Sequence, residues 1–215
     1  MSVKIFVVHN PKNLLRRKVI NLLLADFDVS FCSAEDGGEK FVALHKPFDQ
    51  DRIQAKLALW PAQVASKMSS GEVLATASHL QAWSKARGSW TLIVEDDAIP
   101  AFPNLPRLLL EAIFNLPRNA DLLYLGGGFP LNHVCPIQDV QGNFVKVGDP
   151  SSNTCVAYLA RTDLLKDFLA GRNLFHLPID YEIAIESRIA AANVWHLNEY
   201  LFLEGSKFVY DSNLR

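Results

Sequence analysis

The sequence predicts an α/β fold on a mostly parallel central sheet, and three observations predict it. Val3 to Val8, Asn13 to Leu24 and Phe27 to Phe31 read as strand, amphipathic helix and strand. That order within roughly 30 residues is the size of a βαβ unit with parallel strands. Trp90 to Val94 and Asp121 to Leu125 read as strands buried on both faces, as in a sheet covered on both sides. Strand and helix patterns continue to alternate, becoming more mixed later, with no repeat, low-complexity tract or linker between them. A single domain over residues 1–215 is the expectation.

Composition narrows the function classes. Of 215 residues, 49% are hydrophobic, ample for a packed core, and 20% are charged. The formal net charge of −2 leaves no basic footprint for a nucleic-acid partner. No apolar run approaches the roughly 18 residues of a membrane span. The opening strand is too short for the apolar core of a signal peptide. Cys32, Cys135 and Cys155 are odd in number and lack metal-type spacing, which fits reduced, buried thiols. These features together predict a cytoplasmic protein.

In chain order, His9-Asn10-Pro11 forms the loop between the first strand and the first helix. Asp36 follows the second strand in Ala34-Glu35-Asp36-Gly37; an acid there can meet a nucleotide's sugar or base, or simply make an Asp-Gly turn. Lys46 to Asp49 reads as loop and Asp51 to Ala65 as helix. A turn at Ser69-Ser70-Gly71-Glu72 feeds a helix to about Ala86, ended by Gly88. On that helix Glu72, Thr76, His79 and Trp83 fall near one face. His79 either lines a pocket with Glu72 or is a core histidine making one hydrogen bond. After the strand from Trp90, Leu105 to Leu116 reads as helix. Gly126-Gly127-Gly128 ends the next strand, allowing a close backbone approach or a plain turn. Gln141-Gly142-Asn143 suggests a hairpin between Val134 and Val147. A strand from Thr154 to Ala160, helices from Arg161 to Leu169 and from Pro178 to about Ala192, and short strands at Val194 to Leu197 and Tyr200 to Leu203 complete the order. The tail from Glu204 reads as loop.

The chemistry is concentrated at Glu95-Asp96-Asp97, which closes a buried strand. Ligands bind outside the carboxyl ends of strands in open α/β sheets. Alternation along extended chain sends Glu95 and Asp97 to one side and Asp96 to the other. Two such carboxylates suit a hard divalent cation that also holds phosphate oxygens. The alternative is a solvated turn in which Asp97 caps a helix beginning near Pro100, Pro103 or Pro106.

Five patches, in matching order over most of the chain, resemble glycosyltransferase family 25. Its members include bacterial lipooligosaccharide galactosyltransferases and the collagen galactosyltransferase domains. His9-Asn10-Pro11-Lys12-Asn13-Leu14-Leu15-Arg16-Arg17 resembles that family's Asn-Leu-Pro-Arg-Ser-x-x-Arg-Arg. Ala34-Glu35-Asp36-Gly37 resembles its Ala-Val-Asp-Gly. Gly71-Glu72, Ser78-His79 and Trp83 resemble its Gly-Glu…Ser-His…Trp helix. Val94-Glu95-Asp96-Asp97-Ala98 is similar to its Leu-Glu-Asp-Asp-Ala, the local form of an Asp-x-Asp motif. Ala157-Tyr158 with Pro178-Ile179-Asp180 resembles its Ala-Tyr…Pro-Val-Asp. The chain departs at His9, where the family has Asn, at Asn10, where it has Leu, and at Lys12, which lacks the planar fork of Arg.

The resemblance implies a GT-A type, Rossmann-like fold with a donor-binding half at about 1–126 and an acceptor-side half at about 127–215. It implies inverting transfer of a sugar, galactose from UDP-galactose, to a hydroxyl of a saccharide or lipid-linked saccharide. A lipid-linked acceptor would seat the protein at the inner face of a membrane. Mn²⁺ or Mg²⁺ would be held by Glu95 and Asp97. Val8, Asn10, Arg17, Asp36, Ser78, His79 and Asp96 are the candidate donor contacts, with Arg16 either beside Arg17 on the diphosphate or on a solvated helix face. Asp180 is the candidate base, with Glu72 and Glu182 in reserve. Two other classes compete. One is a catalytically silent carbohydrate- or nucleotide-binding protein of the same fold. The other is a nucleotidyltransferase, for which the early glycine-rich basic loop is missing.

Overall fold

The computed structural model describes residues 3–34, 68–128, 135–148, 154–170 and 177–208. The readings at Asp36, Lys46 to Asp49 and Asp51 to Ala65 lie outside the described residues.

The first βαβ unit forms as the pattern predicts. Strand β1 (Val3–Val8) leads through helix α1 (Leu14–Leu23) to β2 (Val29–Cys32), which pairs parallel with β1. The chain then returns to the other side of β1 through helix α2 (Ser70–Lys85) and strand β3 (Trp90–Glu95), again parallel. β1 therefore lies at the place where the chain reverses its direction of travel across the sheet. A crevice opens there, beyond the carboxyl ends of β1 and β3.

Beyond β3 come β4 (Ala98–Pro100), helix α3 (Leu105–Phe114), β5 (Leu122–Gly127), β6 (Ile137–Gln141) and β7 (Phe144–Val147). Then follow β8 (Ala157–Arg161), α4 (Thr162–Leu169), α5 (Ile179–Ile189), β9 (Val194–Leu197), β10 (Phe202–Glu204) and α6 (Gly205–Phe208). The sheet order is β2-β1-β3-β8-β5-β9-β7-β6, with β10 beside β5 and β4 beside β10. β2, β1, β3, β5 and β9 run one way and β8 the other, so the centre of this α/β sheet is largely parallel. Strands from both halves of the chain interleave in it.

β3 and β8 are almost wholly buried, which explains why both lack polar alternation. Trp83, Trp195, Tyr124, Tyr158, Phe168 and Phe202 are the largest fully buried side chains. Each apolar side chain so buried contributes roughly 1.5–3 kcal/mol. α2 packs against β1, β2, α4 and α5, which buries every residue from Thr76 to Trp83. Gly126 is required by packing: a Cβ there would lie 2.7 Å from Phe202 Cβ and 2.8 Å from Val156 Cγ1. Its close approach is to β10 and to Val156, just before β8.

Three expectations change. After Asp97 the chain forms β4, paired antiparallel with β10, so Asp97 caps no helix; the next helix starts at Leu105 as read and ends at Phe114, short of Leu116. The second strand is shifted to Val29–Cys32. Glu204 belongs to β10 and Gly205–Phe208 to a helical turn, where a loop was expected. Among the described residues, no helix is long and apolar enough to cross a membrane.

Candidate active site

A cavity of about 190 Å³ lies at the carboxyl ends of β1, β2 and β3. Val8, His9, Asn10 and Arg16 line it from the β1–α1 side, and Glu95, Asp96 and Asp97 from β3. Ser33 and Ala34 close it at β2, Gly71, Leu74 and Ser78 at α2, and Glu204 and Ser206 at the chain's late turn. The acids thus reach the crevice that the sheet topology opens. The strand ends at Glu95, so strict alternation does not apply beyond it: Asp96 and Asp97 form a turn.

The acids have different partners. Asp96 is 7% exposed. Its Oδ2 accepts from His9 Nδ1–H at 2.9 Å and from the Asn10 backbone N–H at 2.9 Å; its Oδ1 accepts from Arg16 Nη1 at 3.2 Å. The Asp96 N–H in turn donates to Val8 O at 2.9 Å. This buried ion pair ties the end of β1 to the end of β3.

Glu95 is fixed from behind. Trp83 Nε1–H donates to Tyr158 Oη at 2.8 Å, and Tyr158 lies 2.9 Å from His79 Nδ1. His79 Nε2 lies 3.1 Å from Glu95 Oε1. Tyr158 has one proton to give, so the consistent chain is Trp83 to Tyr158 to His79 Nδ1, with His79 Nε2–H donating to Glu95. Cys155 Sγ–H adds a contact to the same oxygen at 3.4 Å. Burial raises the Glu95 pKa, but His79, Cys155 and Arg16 outweigh it, so Glu95 is held below the ordinary value.

Asp97 shows the opposite balance. Burial first, then the charge of Glu95, push its carboxyl up to about 7, against the pull of Arg16 and Ser206. A buried acid beside an ionised one is an excess of negative charge that a cation would relieve. Two carboxylates offering oxygen fit a hard divalent ion, so Glu95 and Asp97 suit the metal expected there.

Asp180 sits half-buried in the first turn of α5. Burial raises its pKa to about 6; Glu95 and Glu72 add to the rise, and the Tyr181 backbone N–H opposes it. That coupling places Asp180 within electrostatic reach of the acids, although it does not line the cavity. Glu72 closes a capping box: its Oε2 accepts from Ser69 N–H at 2.6 Å, and its own N–H donates to Ser69 Oγ at 3.2 Å. Glu182 is buried, its Oε1 accepting from the Leu177 N–H at 2.9 Å.

The remaining candidates divide. Val8 and Asn10 line the cavity, and Asn10 Oδ1 also accepts from Lys12 N–H at 3.0 Å. Ser78 Oγ accepts from Ala34 N–H and donates to Leu74 O, both at 2.8 Å, so it fastens β2 to α2. His79 is fully buried behind Glu95. Arg17 is exposed, its guanidinium 4.8 Å from the Phe31 ring centre, and does not line the cavity; its neighbour Arg16 does. Cys155, Glu204 and Ser206 carry no signal in the sequence. Cys155 meets Glu95 from the segment entering β8, Glu204 and Ser206 meet the cavity from β10 and the helical turn after it, and no local pattern announces either.

No protein-family model and no curated protein sequence matches the chain. Solved structures show a likeness of arrangement. Protein A197 from STIV gives a TM-score of 0.46 at 13% identity, over 94% of this chain and 83% of that one. TarS 1–349 from S. aureus gives 0.46 at 14%, over 96% and 61%, so this chain spans less than two thirds of it. Mouse xyloside xylosyltransferase 1 in its apo form gives 0.44 at 12%, over 89% and 71%. At these identities and scores the likeness concerns the arrangement of elements and carries nothing about chemistry, which rests on the site's own residues.

Proposed function

We propose that this chain is a metal-dependent, inverting glycosyltransferase of GT-A type, akin to family 25. It would move a sugar, galactose from UDP-galactose, to a hydroxyl of a saccharide or lipid-linked saccharide. The observation that carries the reading is the pair of half-buried Glu95 and buried Asp97, both lining the crevice beside β1, with Asp97 pushed up to about 7. Such a pair is made to be neutralised from the crevice side.

Glu95 and Asp97 would hold Mn²⁺ or Mg²⁺, which when bound neutralises charge on a departing diphosphate. His79 and Cys155 keep Glu95 ionised and fixed in direction. Asp96 has its lone pairs engaged by His9, Asn10 and Arg16, and so sets the floor of the crevice on which a nucleoside would lie. Arg16 brings positive charge to the same wall. Asp180 accepts the proton of the attacking hydroxyl; a pKa near 6 leaves it ionised at neutral pH yet basic enough to take a proton. Asp36 stays a candidate contact to the nucleoside.

A peripheral membrane seat on the cytoplasmic side is part of the proposal. Leu14, Leu15 and Leu22 of α1 are 72%, 63% and 71% exposed, and Lys12, Arg17 and Lys18 stand around them. Leucines among cations on one short helix suit an anionic lipid surface.

The test is a thermal shift with UDP, with and without Mn²⁺, followed by a donor screen scored by hydrolysis of nucleotide-sugars. A ligand that binds only the folded state raises its stability. A Mn²⁺-dependent rise, lost in Asp97→Ala, is expected. No shift with any nucleotide would leave the silent binding protein as the reading. Asp180→Asn should keep donor binding and lose transfer.

A further inference from the structure

We infer that His79, Cys155 and Glu95 form a second metal site, built for a borderline cation of which Zn²⁺ is the type. His79 Nε2, Cys155 Sγ and Glu95 Oε1 all lie within 4.8 Å of one another. The pairwise separations are 3.1 Å from nitrogen to oxygen, 3.4 Å from sulfur to oxygen and 3.8 Å from sulfur to nitrogen. Ligand atoms bound at about 2.0–2.3 Å on a tetrahedral Zn²⁺ lie roughly 3.3–3.6 Å apart. One separation falls in that range and the other two lie a few tenths of an ångström either side of it, so small side-chain shifts would bring the three atoms onto one face of such a tetrahedron. Imidazole and thiol with a single carboxylate select zinc over magnesium or calcium.

The surroundings are those of a held site. His79 comes from α2, Glu95 from β3, and Cys155 from the segment entering β8. His79 and Cys155 are 0% and 3% exposed, whereas the Glu95 side chain is 24% exposed and gives the ion its way in. Thr154, next to Cys155, has φ 66°, a left-handed conformation that a β-branched residue adopts only when its surroundings impose it. Tyr158 waits on the far nitrogen of His79, the usual place for the outer partner of a metal-bound histidine.

Without metal, two protons fill the place of the ion, on His79 Nε2 and Cys155 Sγ. On binding, the thiol proton leaves to solvent and the imidazole proton moves from Nε2 to Nδ1. His79 then donates to Tyr158 Oη, which also accepts from Trp83, and the Tyr158 hydroxyl hydrogen turns away from His79. One proton is released per zinc, and since Glu95 alone of the three lines the crevice, a water completing the site would enter past it. The site shares Glu95 with the hard-cation pair, so zinc withdraws that carboxylate from Mn²⁺ or Mg²⁺.

Zinc binding involves no nucleotide, so it stands or falls separately from the transferase reading. The experiment uses Co²⁺ and Zn²⁺ on the full chain. A thiolate-to-cobalt charge-transfer absorption at one equivalent is expected, bleached by Zn²⁺. Cys155→Ser should lose the band and weaken zinc by more than the roughly 10–100-fold that loss of an outer partner costs. A chain carrying Cys32→Ala and Cys135→Ser, with Cys155 its only remaining thiol, should keep the band. Absence of the band in the unaltered chain, its survival in Cys155→Ser, or its loss when only Cys155 remains would each overturn the site. A missing UDP shift with an intact cobalt band would sink only the transferase.

Discussion

Asp96 and Asp97 are neighbours in sequence, yet the structure gives one carboxylate three donors and leaves the other among like charges. Their substitutions should therefore move stability in opposite directions. Asp96→Ala takes the Asp96 carboxylate from the buried Arg16 guanidinium and unties β1 from β3. Breaking a buried pair from one side costs about 3–5 kcal/mol, so urea unfolding should show a loss of that order. Asp97→Asn removes a buried charge that repels Glu95, so the metal-free variant should melt at or above the parent temperature while losing Mn²⁺-dependent nucleotide binding. Asp97→Asn melting well below the parent would mark Asp97 as a structural anchor instead. The acids were legible in the sequence because a buried strand that runs into three carboxylates must deliver them to the rim of the sheet. The choice between Arg16 and Arg17 was not, because α1 defies its own pattern. It buries Arg16 and Ile20 and exposes Leu14, Leu15 and Leu22. The Arg16 pairing is made by a residue 80 positions away, and no helical periodicity carries that. Cys155 and Tyr158 stayed unassigned for the same reason: their partners are set by antiparallel register, Val94 opposite Ala157 and Ile93 opposite Tyr158.

The elements with an apolar run or a cap declared themselves, and those defined only by pairing did not. β1, β3 and β5 are apolar runs, and α2 carries its start signal as Ser69 with Glu72 at the third helical position. β4 has three residues and exists because it meets β10, where the sequence does read a short strand, across about a hundred residues of chain. The capping box does more than start a helix. α2 carries His79 and Ser78, so its first turn sets the height of both against the sheet. Ser69→Ala should cost about 1 kcal/mol, read as a lower midpoint in chemical unfolding. Gly126→Ala should cost more, roughly 1–3 kcal/mol, because its Cβ meets backbone and Cβ atoms of Phe202 that have no rotamer to yield. A Gly126→Ala protein of unchanged midpoint would show that β10 can move away from β5, and with it Glu204 and Ser206 at the cavity rim.

Taken over the whole molecule, the acids around the crevice set how folding responds to pH. Asp180 stands near 6 and Asp97 near 7 in the folded chain, against about 3.9 for a free aspartate. For an acid raised by folding, the native state binds the proton more tightly than the unfolded chain. Stability contributed by that proton is present below about 4 and is lost as pH climbs through the folded value. Glu95 is displaced downward, so its share is present above its ordinary value and is lost only at more acid pH. Between about pH 4.5 and 7 the two raised aspartates therefore make the metal-free fold less stable as pH rises. A cation on Glu95 and Asp97 reverses the slope for Asp97, because binding displaces its proton, and apparent Mn²⁺ affinity should fall as pH drops below about 7. The measurement is the melting temperature across that window in chelator and in Mn²⁺, for the parent and for a chain with Asp97→Asn and Asp180→Asn. The difference between the two chains isolates these carboxyls from every other titrating group. In chelator the parent should lose ground to the variant with rising pH, and in Mn²⁺ it should regain it. Parallel curves under both conditions would mean that neither carboxyl carries the burial strain on which the candidate site depends.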